Sequence, residues 1–412
     1  KQLQIYEADH GCVVVMETKT GYIKAISNLG RDPKGNYTER VNYAVTESNE
    51  PGSTFKVVDL IALFEDKLAD SSSVYDSNGG EITYYNRRVR DSKKGGYGKI
   101  SLARGFELSS NTILVQAVYN NYKDNPKKFM GHINRMKLNE PLGLQIKGEG
   151  KPVIPQPGDK TWYGTTLPWM AYGYGVSMTP LQTLTLYNAI ANDGEMVKPL
   201  FVSEIKEWNK KIKKFDKEVI HPKIASQETL DKVRAILENV VKRGTGSKLY
   251  SKDFSMAGKT GTAQVDYANK ENLYYASSFV GYFPADQPKY SCIVVIHKPS
   301  PSKGYYGADV SGPVFKRIAQ KVFTDLPSTN EIKNIKKSNS VQDTNYEKYY
   351  TILNKDLNTV PNVKGMSGMD AVALLENLKI KVKVIGIGKV KNQSIQPGEP
   401  LQNNSTIILE LS

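Results

Sequence analysis

Three short patterns in this chain could together do covalent chemistry at a carbonyl carbon. Ser-x-x-Lys occurs at Ser53/Lys56, Ser203/Lys206 and Ser300/Lys303, but only the first lies behind a Pro-Gly break at the head of an apolar helical repeat. Three residues of helix bring a serine hydroxyl and a lysine amine onto one face. The free N–H groups of a first turn favour negative charge, so the serine's own amide can face a developing oxyanion. A serine hydroxyl is a poor nucleophile until a base takes its proton. Lys56 can be that base if partial burial and a neighbouring cation lower its pKa enough to populate the neutral amine. The plainer alternative for the same residues is an N-cap serine with a surface lysine.

Lys-Thr-Gly occurs twice. Lys19-Thr20-Gly21 is turn chemistry between two alternating runs. Lys259-Thr260-Gly261 lies inside a strand pattern, Phe254 to Gln264, among the small residues Ala257, Gly258 and Ala263. Small residues let another chain approach a strand backbone closely, which suits the binding of an extended peptide by strand addition. Lys259 is also the natural neighbouring cation for Lys56. The Ser-x-Asn at Ser109-Ser110-Asn111 falls in a stretch that reads as helix.

The elements that must hold these groups alternate between helix and strand. Residues 11 to 29 read as a β-hairpin around Lys19-Thr20-Gly21. Val57, Leu60, Ile61, Phe64 and Leu68 recur at helical spacing, so a helix starts at or just before Ser53. Residues 100 to 120, 125 to 137, 226 to 242 and 313 to 324 read as helices, and so does Thr179 to Asn192, with Thr179 as N-cap and Pro180 at the first position. Strand-like runs lie near 254 to 264, 276 to 283 and 290 to 297. The basic run Lys210, Lys211, Lys213, Lys214 and Lys217 alternates around Ile212 and Phe215, which suits an exposed strand better than a polyanion site. Residues 326 to 356 are polar and read as a linker. From Leu357 the pattern restarts as a separate αβββ module, with a helix from Ser367 to Leu378.

Composition narrows the class further. The chain has 412 residues, enough for two or three domains, and 39% hydrophobic with 24% charged residues describe a globular protein. A net charge of +14 favours anionic partners without choosing among them. Cys12 and Cys292 sit in apolar runs and read as free core thiols. No run approaches the roughly 18 apolar residues of a membrane span, and Lys1 to Glu7 reads as the tail of a helix, so the chain looks cut from a longer one. Gly258-Lys259-Thr260 is not a phosphate-binding loop, because the upstream glycine position holds Asp253. Four histidines without H-E-x-x-H and two distant cysteines support no metal or cofactor. The absence of G-x-S-x-G removes the α/β-hydrolase nucleophile elbow.

Taken in order, Ser53/Lys56, Ser109/Asn111 and Lys259-Thr260-Gly261 resemble the motif set of the penicilloyl-serine transferases. The flanks Glu50-Pro51-Gly52-Ser53-Thr54-Phe55-Lys56, Tyr174 to Gln182 and Ala257 to Gln264 look like a class B, monofunctional penicillin-binding protein. The module from 357 onward, with Val360-Pro361-Asn362-Val363 and Gln396-Pro397-Gly398, resembles a single PASTA domain. The resemblance implies an α+β fold: a central five-stranded antiparallel sheet flanked by helices plus an all-helical subdomain. It divides the chain into a transpeptidase domain at 1–325, a linker at 326–356 and the PASTA domain at 357–412.

The resemblance also implies a peptidoglycan D,D-transpeptidase that cross-links stem peptides through a serine acyl-enzyme, is acylated by β-lactams and works in septal wall synthesis. In that reading Ser53 is the nucleophile and Lys56 its base, Ser109 relays a proton, and Asn111 holds Lys56 and the substrate amide. Lys259, Thr260 and Thr262, with Gly261 between, bind the terminal carboxylate. Expected partners are stem peptides, β-lactams, a membrane-embedded glycan polymerase and division proteins, with no nucleic acid. Expected localisation is extracytoplasmic, on the periplasmic face, tethered to the inner membrane by an N-terminal anchor outside this chain. The alternatives are a serine β-lactamase or penicillin sensor, and a noncatalytic wall-binding scaffold.

Overall fold

A computed structural model describes residues 1–208, 210–265, 273–325, 352, 358–400 and 405–412. The chain divides into two compact units, Lys1–Leu326 and Pro327–Ser412. The expected linker, 326–356, lies outside the described residues except for Ile352.

The first unit is built on one antiparallel sheet of β1 (His10–Glu17), β2 (Ile23–Arg31), β3 (Tyr37–Glu39), β4 (Ala257–Val265), β5 (Tyr274–Phe283) and β6 (Tyr290–His297). The order across the sheet is β4-β5-β6-β1-β2-β3. The five long strands are the expected sheet, and the three-residue β3 adds a sixth at one edge. The register pairs His10 with His297, so segments far apart in sequence share the sheet centre, and it pairs Lys259 with Val280 at one edge. Strand β6 reads Tyr-Ser-Cys-Ile-Val-Val-Ile-His without alternation, and seven of its eight residues are buried. A sheet covered on both faces has no use for a polar face. Cys12 and Cys292 are buried here as free thiols.

Four helices matter most to the site. Helix α1 (Lys56–Glu65) is buried from Lys56 through Phe64, the property of a helix enclosed on all sides. Helix α4 (Pro180–Ala191) is also buried throughout. It begins with a full capping box in which Thr179 and Gln182 satisfy each other's backbone amides. Helices α2 (Leu102–Glu107) and α3 (Asn111–Tyr122) replace the single helix read over 100 to 120, with a break at Leu108 to Ser110. Helix α5 (Gln227–Arg243) shows the amphipathic case, burying Leu230, Val233, Ile236, Leu237 and Val240 at helical spacing. Helix α6 (Gly312–Asp325) closes the unit against β5 and β6.

The basic run forms the strand Lys210–Lys214 of an exposed hairpin, with every residue open to solvent. The second unit contains helix α7 (Gly368–Asn377) and strands β7 (Lys381–Ile385), β8 (Val390–Gln393) and β9 (Thr406–Leu411) in the order β7-β9-β8. Its small core gathers Val360, Val363, Ala371, Leu374, Leu375, Ile407 and Leu409.

Candidate active site

Ser53 does not begin the α-helix itself. It sits in a 3-10 turn, Gly52–Thr54, that feeds into α1. The turn is pinned from several sides: Thr54 Oγ1 donates to Pro51 O at 2.8 Å, and Tyr187 of α4 donates its hydroxyl to Thr54 O at 2.9 Å. Gly52 adopts φ +55° and faces Gly173, where a side chain would lie 2.0 Å from Gly52 O. Glycine at both positions is therefore a steric requirement, and it locks the Tyr172-Gly173-Tyr174 loop against the nucleophile turn.

The second group is held in a way sequence periodicity hides. Ser110, not Ser109, is the N-cap of α3, with its hydroxyl accepting from Ile113 N. The carboxylate of Asp91, just past the strand Arg87–Arg90, accepts from Ser110 Oγ at 3.0 Å, Asn111 N at 2.6 Å, Thr112 N at 3.0 Å and Thr112 Oγ1 at 2.8 Å. That clamp leaves Ser109 in the left-handed region at φ +57°. Ser109 is thus in the cleft at a helix junction, not inside a helix as its sequence setting suggests. Asn111 Nδ2 donates to Arg90 O at 2.7 Å, which fixes the amide so that Oδ1 faces the lysine.

Lys56 and Lys259, both fully buried, converge on this junction. Lys56 Nζ donates to Asn111 Oδ1 at 2.6 Å and Ser109 O at 2.8 Å, with Ser109 Oγ at 3.4 Å. Lys259 Nζ donates to Ser109 Oγ at 2.8 Å and Thr260 O at 3.0 Å. Burial pushes the Lys56 amine down to about 7, with Asp91 and Asp59 pulling the other way. Burial, then the charge of Lys56, pushes Lys259 well below its ordinary value. Burial is therefore the cause that lowers Lys56, and the neighbouring cation expected from sequence is not among the causes of its shift. Repulsion between the two buried amines disfavours the state in which both are charged. Asn111 Oδ1 and Ser109 O can only accept, so when Lys56 is neutral its two hydrogens can stay on them and its lone pair is free to take a proton.

Strand β4 forms the sheet edge nearest this cluster. Gly261 makes room for the site's own parts, since a side chain there would meet Ser278 Oγ at 2.1 Å and Thr54 Cγ2 at 3.0 Å. Its smallness serves internal packing, where the sequence suggested access for a second chain. Thr262 Oγ1 accepts from Gly307 N at 3.1 Å, and Tyr174 OH accepts from Gln264 N at 2.9 Å. The Thr260 hydroxyl pairs with Thr245 Oγ1 at 2.7 Å. Each site residue named from sequence therefore lies on one of three converging pieces: the Ser53 turn, the Ser109 junction and the edge of β4. Sequence reasoning missed Asp91; the only available signal was an acidic residue following a short alternating run.

His10, Glu47 and His297 place their ligand-type atoms within 4.8 Å of one another. His10 Nδ1 meets Asp9 Oδ2 and His10 Nε2 meets Glu47 Oε2, each at 2.8 Å. The two imidazoles stack at 4.3 Å with planes 13° apart, so an ion in the plane of one ring lies well out of the plane of the other. The geometry suits a charged hydrogen-bonded stack: burial opposes protonation of His10 but Glu47 and Asp9 outweigh it, while burial pushes His297 down to about 4.

Comparison with known proteins gives a consistent picture. The family described as penicillin binding protein transpeptidase domain matches residues 11–320, and the PASTA domain matches residues 358–412. Stage V sporulation protein D of Bacillus subtilis is 29% identical over 429 residues, covering 99% of this chain and 62% of that protein. The peptidoglycan D,D-transpeptidase FtsI of Escherichia coli is 28% identical over 331 residues, covering 76% of this chain and 51% of FtsI. This chain thus spans about half to two thirds of such relatives. Penicillin-binding protein 3 of Mycobacterium tuberculosis, solved in complex with aztreonam, superposes with a TM-score of 0.68 at 27% identity, covering 79% of this chain and 75% of that one. The transpeptidase domain of penicillin-binding protein 3 from Burkholderia pseudomallei shares the fold at a TM-score of 0.66 and 22% identity, covering 79% and 91%.

Proposed function

Because this chain belongs to the penicillin-binding protein transpeptidase family, we propose that it is a peptidoglycan D,D-transpeptidase of the division-associated class B kind. The observation that carries the reading is the convergence on Ser109 of Lys259 and of Lys56, three residues beyond Ser53. Ser53 Oγ attacks the carbonyl of the penultimate D-Ala of a stem peptide as its proton passes to the neutral amine of Lys56. The amides of Ser53 and Thr262 receive the oxyanion. Ser109, in contact with both lysines, carries a proton to the departing D-Ala nitrogen. Asn111 keeps Lys56 aligned. Lys259, Thr260 and Thr262 take the terminal carboxylate, and Gly261 allows the strand to close against the Ser53 turn. An amine from a neighbouring stem peptide then attacks the acyl-enzyme, returns a proton to the cluster and leaves Ser53 as it began.

A β-lactam enters the same cycle by ring opening on Ser53 and remains attached. The domain division at 325 and 357, an extracytoplasmic position on a membrane tether, and work beside a glycan polymerase and division proteins belong to the same proposal. A donor peptide ending in D-Ala-D-Ala, incubated with an amine acceptor, should release D-Ala and form the cross-linked product. Ser53→Ala should abolish both. Wild-type protein that releases no D-Ala under conditions where it is folded would overturn the reading.

A further inference from the structure

The segment tied to the Ser109 junction is strongly basic, and no motif in the sequence marks it. From Arg87 to Lys99 the chain carries six basic residues and one acid, Asp91. The Asp91 carboxylate is taken up by the first turn of α3. Arg88 and Arg90 share the carboxylate of Glu81, at 3.3 and 2.6 Å. Lys93 and Lys94 are exposed, and among the described residues neither has a carboxylate partner. The turn that carries them is a built one. Gly96 N donates to Lys93 O at 3.0 Å, and Gly96 lies so near Gly80 that a side chain on Gly80 would come within 2.7 Å of Gly96 N. Tyr97 then donates its N–H to Ser77 Oγ at 2.8 Å and its hydroxyl to Leu108 O at 3.4 Å, one residue before Ser109. Lys93 Nζ lies 5.2 Å from the centre of the Tyr97 ring. On the other flank of the junction, Asn111 Nδ2 donates to Arg90 O at 2.7 Å.

In the proposed cycle Ser109 passes a proton to the departing D-Ala nitrogen. The second half-reaction retraces that path. The acceptor nitrogen forms its bond to the acyl carbon as the bond from that carbon to Ser53 Oγ breaks, the amine's proton passes to the cluster, and one returns to Oγ. The acceptor nitrogen therefore stands where the D-Ala nitrogen stood, beside Ser109, and the basic segment borders its approach. We propose that Lys93 and Lys94 form an acceptor subsite that takes a carboxylate of the incoming peptide, so that the preferred acceptor is an amine borne on an acidic peptide. Two ammonium groups held on a fixed turn select acceptors by charge. The donor is selected elsewhere, since its carboxylate goes to Lys259, Thr260 and Thr262 on β4.

The inference rests on the transpeptidase reading, so the test follows acyl transfer on the intact chain from a thioester donor to two matched acceptors. These are acetyl-Glu-Lys amide and acetyl-Gln-Lys amide, which offer the same lysine side-chain amine and differ by one carboxylate. At low salt wild type should transfer to the Glu acceptor roughly 2- to 30-fold better, the range for two exposed ion pairs. The difference should lie mainly in the acceptor's KM and shrink as salt is added. Lys93→Gln with Lys94→Gln should remove the preference, and Lys93→Glu with Lys94→Glu should reverse it. The Gln pair should be labelled by a fluorescent penicillin at the wild-type rate. Circular dichroism checks each fold, and Lys93→Gln alone takes the place of a double variant that does not fold. A chain that transfers to neither acceptor overturns the transpeptidase reading and the inference with it. A chain that transfers equally to both, or a Gln pair that keeps the full preference, overturns the inference alone. So does an equal loss of penicillin labelling and of both transfers, which marks a distorted cleft.

Discussion

The protonation state of Lys56 can be pushed in a direction that separates its chemistry from its packing. At its ordinary pKa of 10.5 a lysine is neutral in about one molecule in 3,000 at pH 7, whereas at about 7 half the molecules are neutral. That difference corresponds to roughly 5 kcal/mol of burial cost borne by the folded protein. If the neutral amine is what accepts the Ser53 proton, acylation rises about tenfold per pH unit below pH 7 and levels off above it. Asn111→Asp puts a carboxylate where Oδ1 now lies 2.6 Å from Nζ. An opposite charge so close raises the amine's pKa by about 1–3 units, so the rate at pH 7 falls roughly 5- to 500-fold and the midpoint moves upward. The assay is the second-order rate of labelling by a fluorescent penicillin between about pH 5.5 and 9.5. Recovery at high pH is decisive, since aspartate cannot donate to Arg90 O as Asn111 Nδ2 does, and a distorted site alone would lower the rate at every pH. A flat wild-type profile, or a variant that stays slow at alkaline pH, would refute the reasoning.

Other expectations follow from the same contacts. Asp91→Asn removes the charge that raises the Lys56 pKa, so the acylation midpoint should move down, while Asp91→Ala should also cost about 1–2 kcal/mol of stability through lost caps on α3, read by thermal melting. Asp59, fully buried with neither oxygen partnered among the described residues, has its pKa raised well above 3.8 by burial. Its folded form prefers the neutral acid, so its contribution is present below the unfolded pKa and lost as pH rises above that value and through the raised folded pKa. Asp59→Asn should therefore raise the melting temperature at pH 7.5 relative to its effect at pH 4; an equal effect at both would mean the carboxyl is not paying this burial cost. A chain ending at Asp325 should keep its acylation rate within about tenfold of the full chain, or about 1.4 kcal/mol of barrier.

Much of the site was legible because its chemistry uses few residue types at short spacing. Ser53 and Lys56 are three residues apart on one turn, and Lys259 stands out in a strand of small residues. Strands were legible where they are long and buried, as in β6, and illegible where they are short, as in β3 and in the separate strand Arg87–Arg90. The break before α3 was missed because Leu108, Ser109 and Ser110 carry no glycine or proline. What sets it is Asp91, some twenty residues upstream, whose carboxylate outcompetes continuation of the helix by satisfying its first amides. The Thr245 to Thr260 contact was equally invisible, since it depends on a buried Glu107 held by two arginines from different helices. Local periodicity reports which face of an element is apolar; it does not report long-range hydrogen bonds that decide where an element ends.

The most direct test of the account is the intact mass of the chain after exposure to benzylpenicillin, followed by peptide mapping. The account predicts one stable adduct per chain, located on Ser53 and absent in Ser53→Ala. No adduct on folded protein, an adduct on another residue, or rapid release of hydrolysed penicillin with multiple turnovers would contradict it.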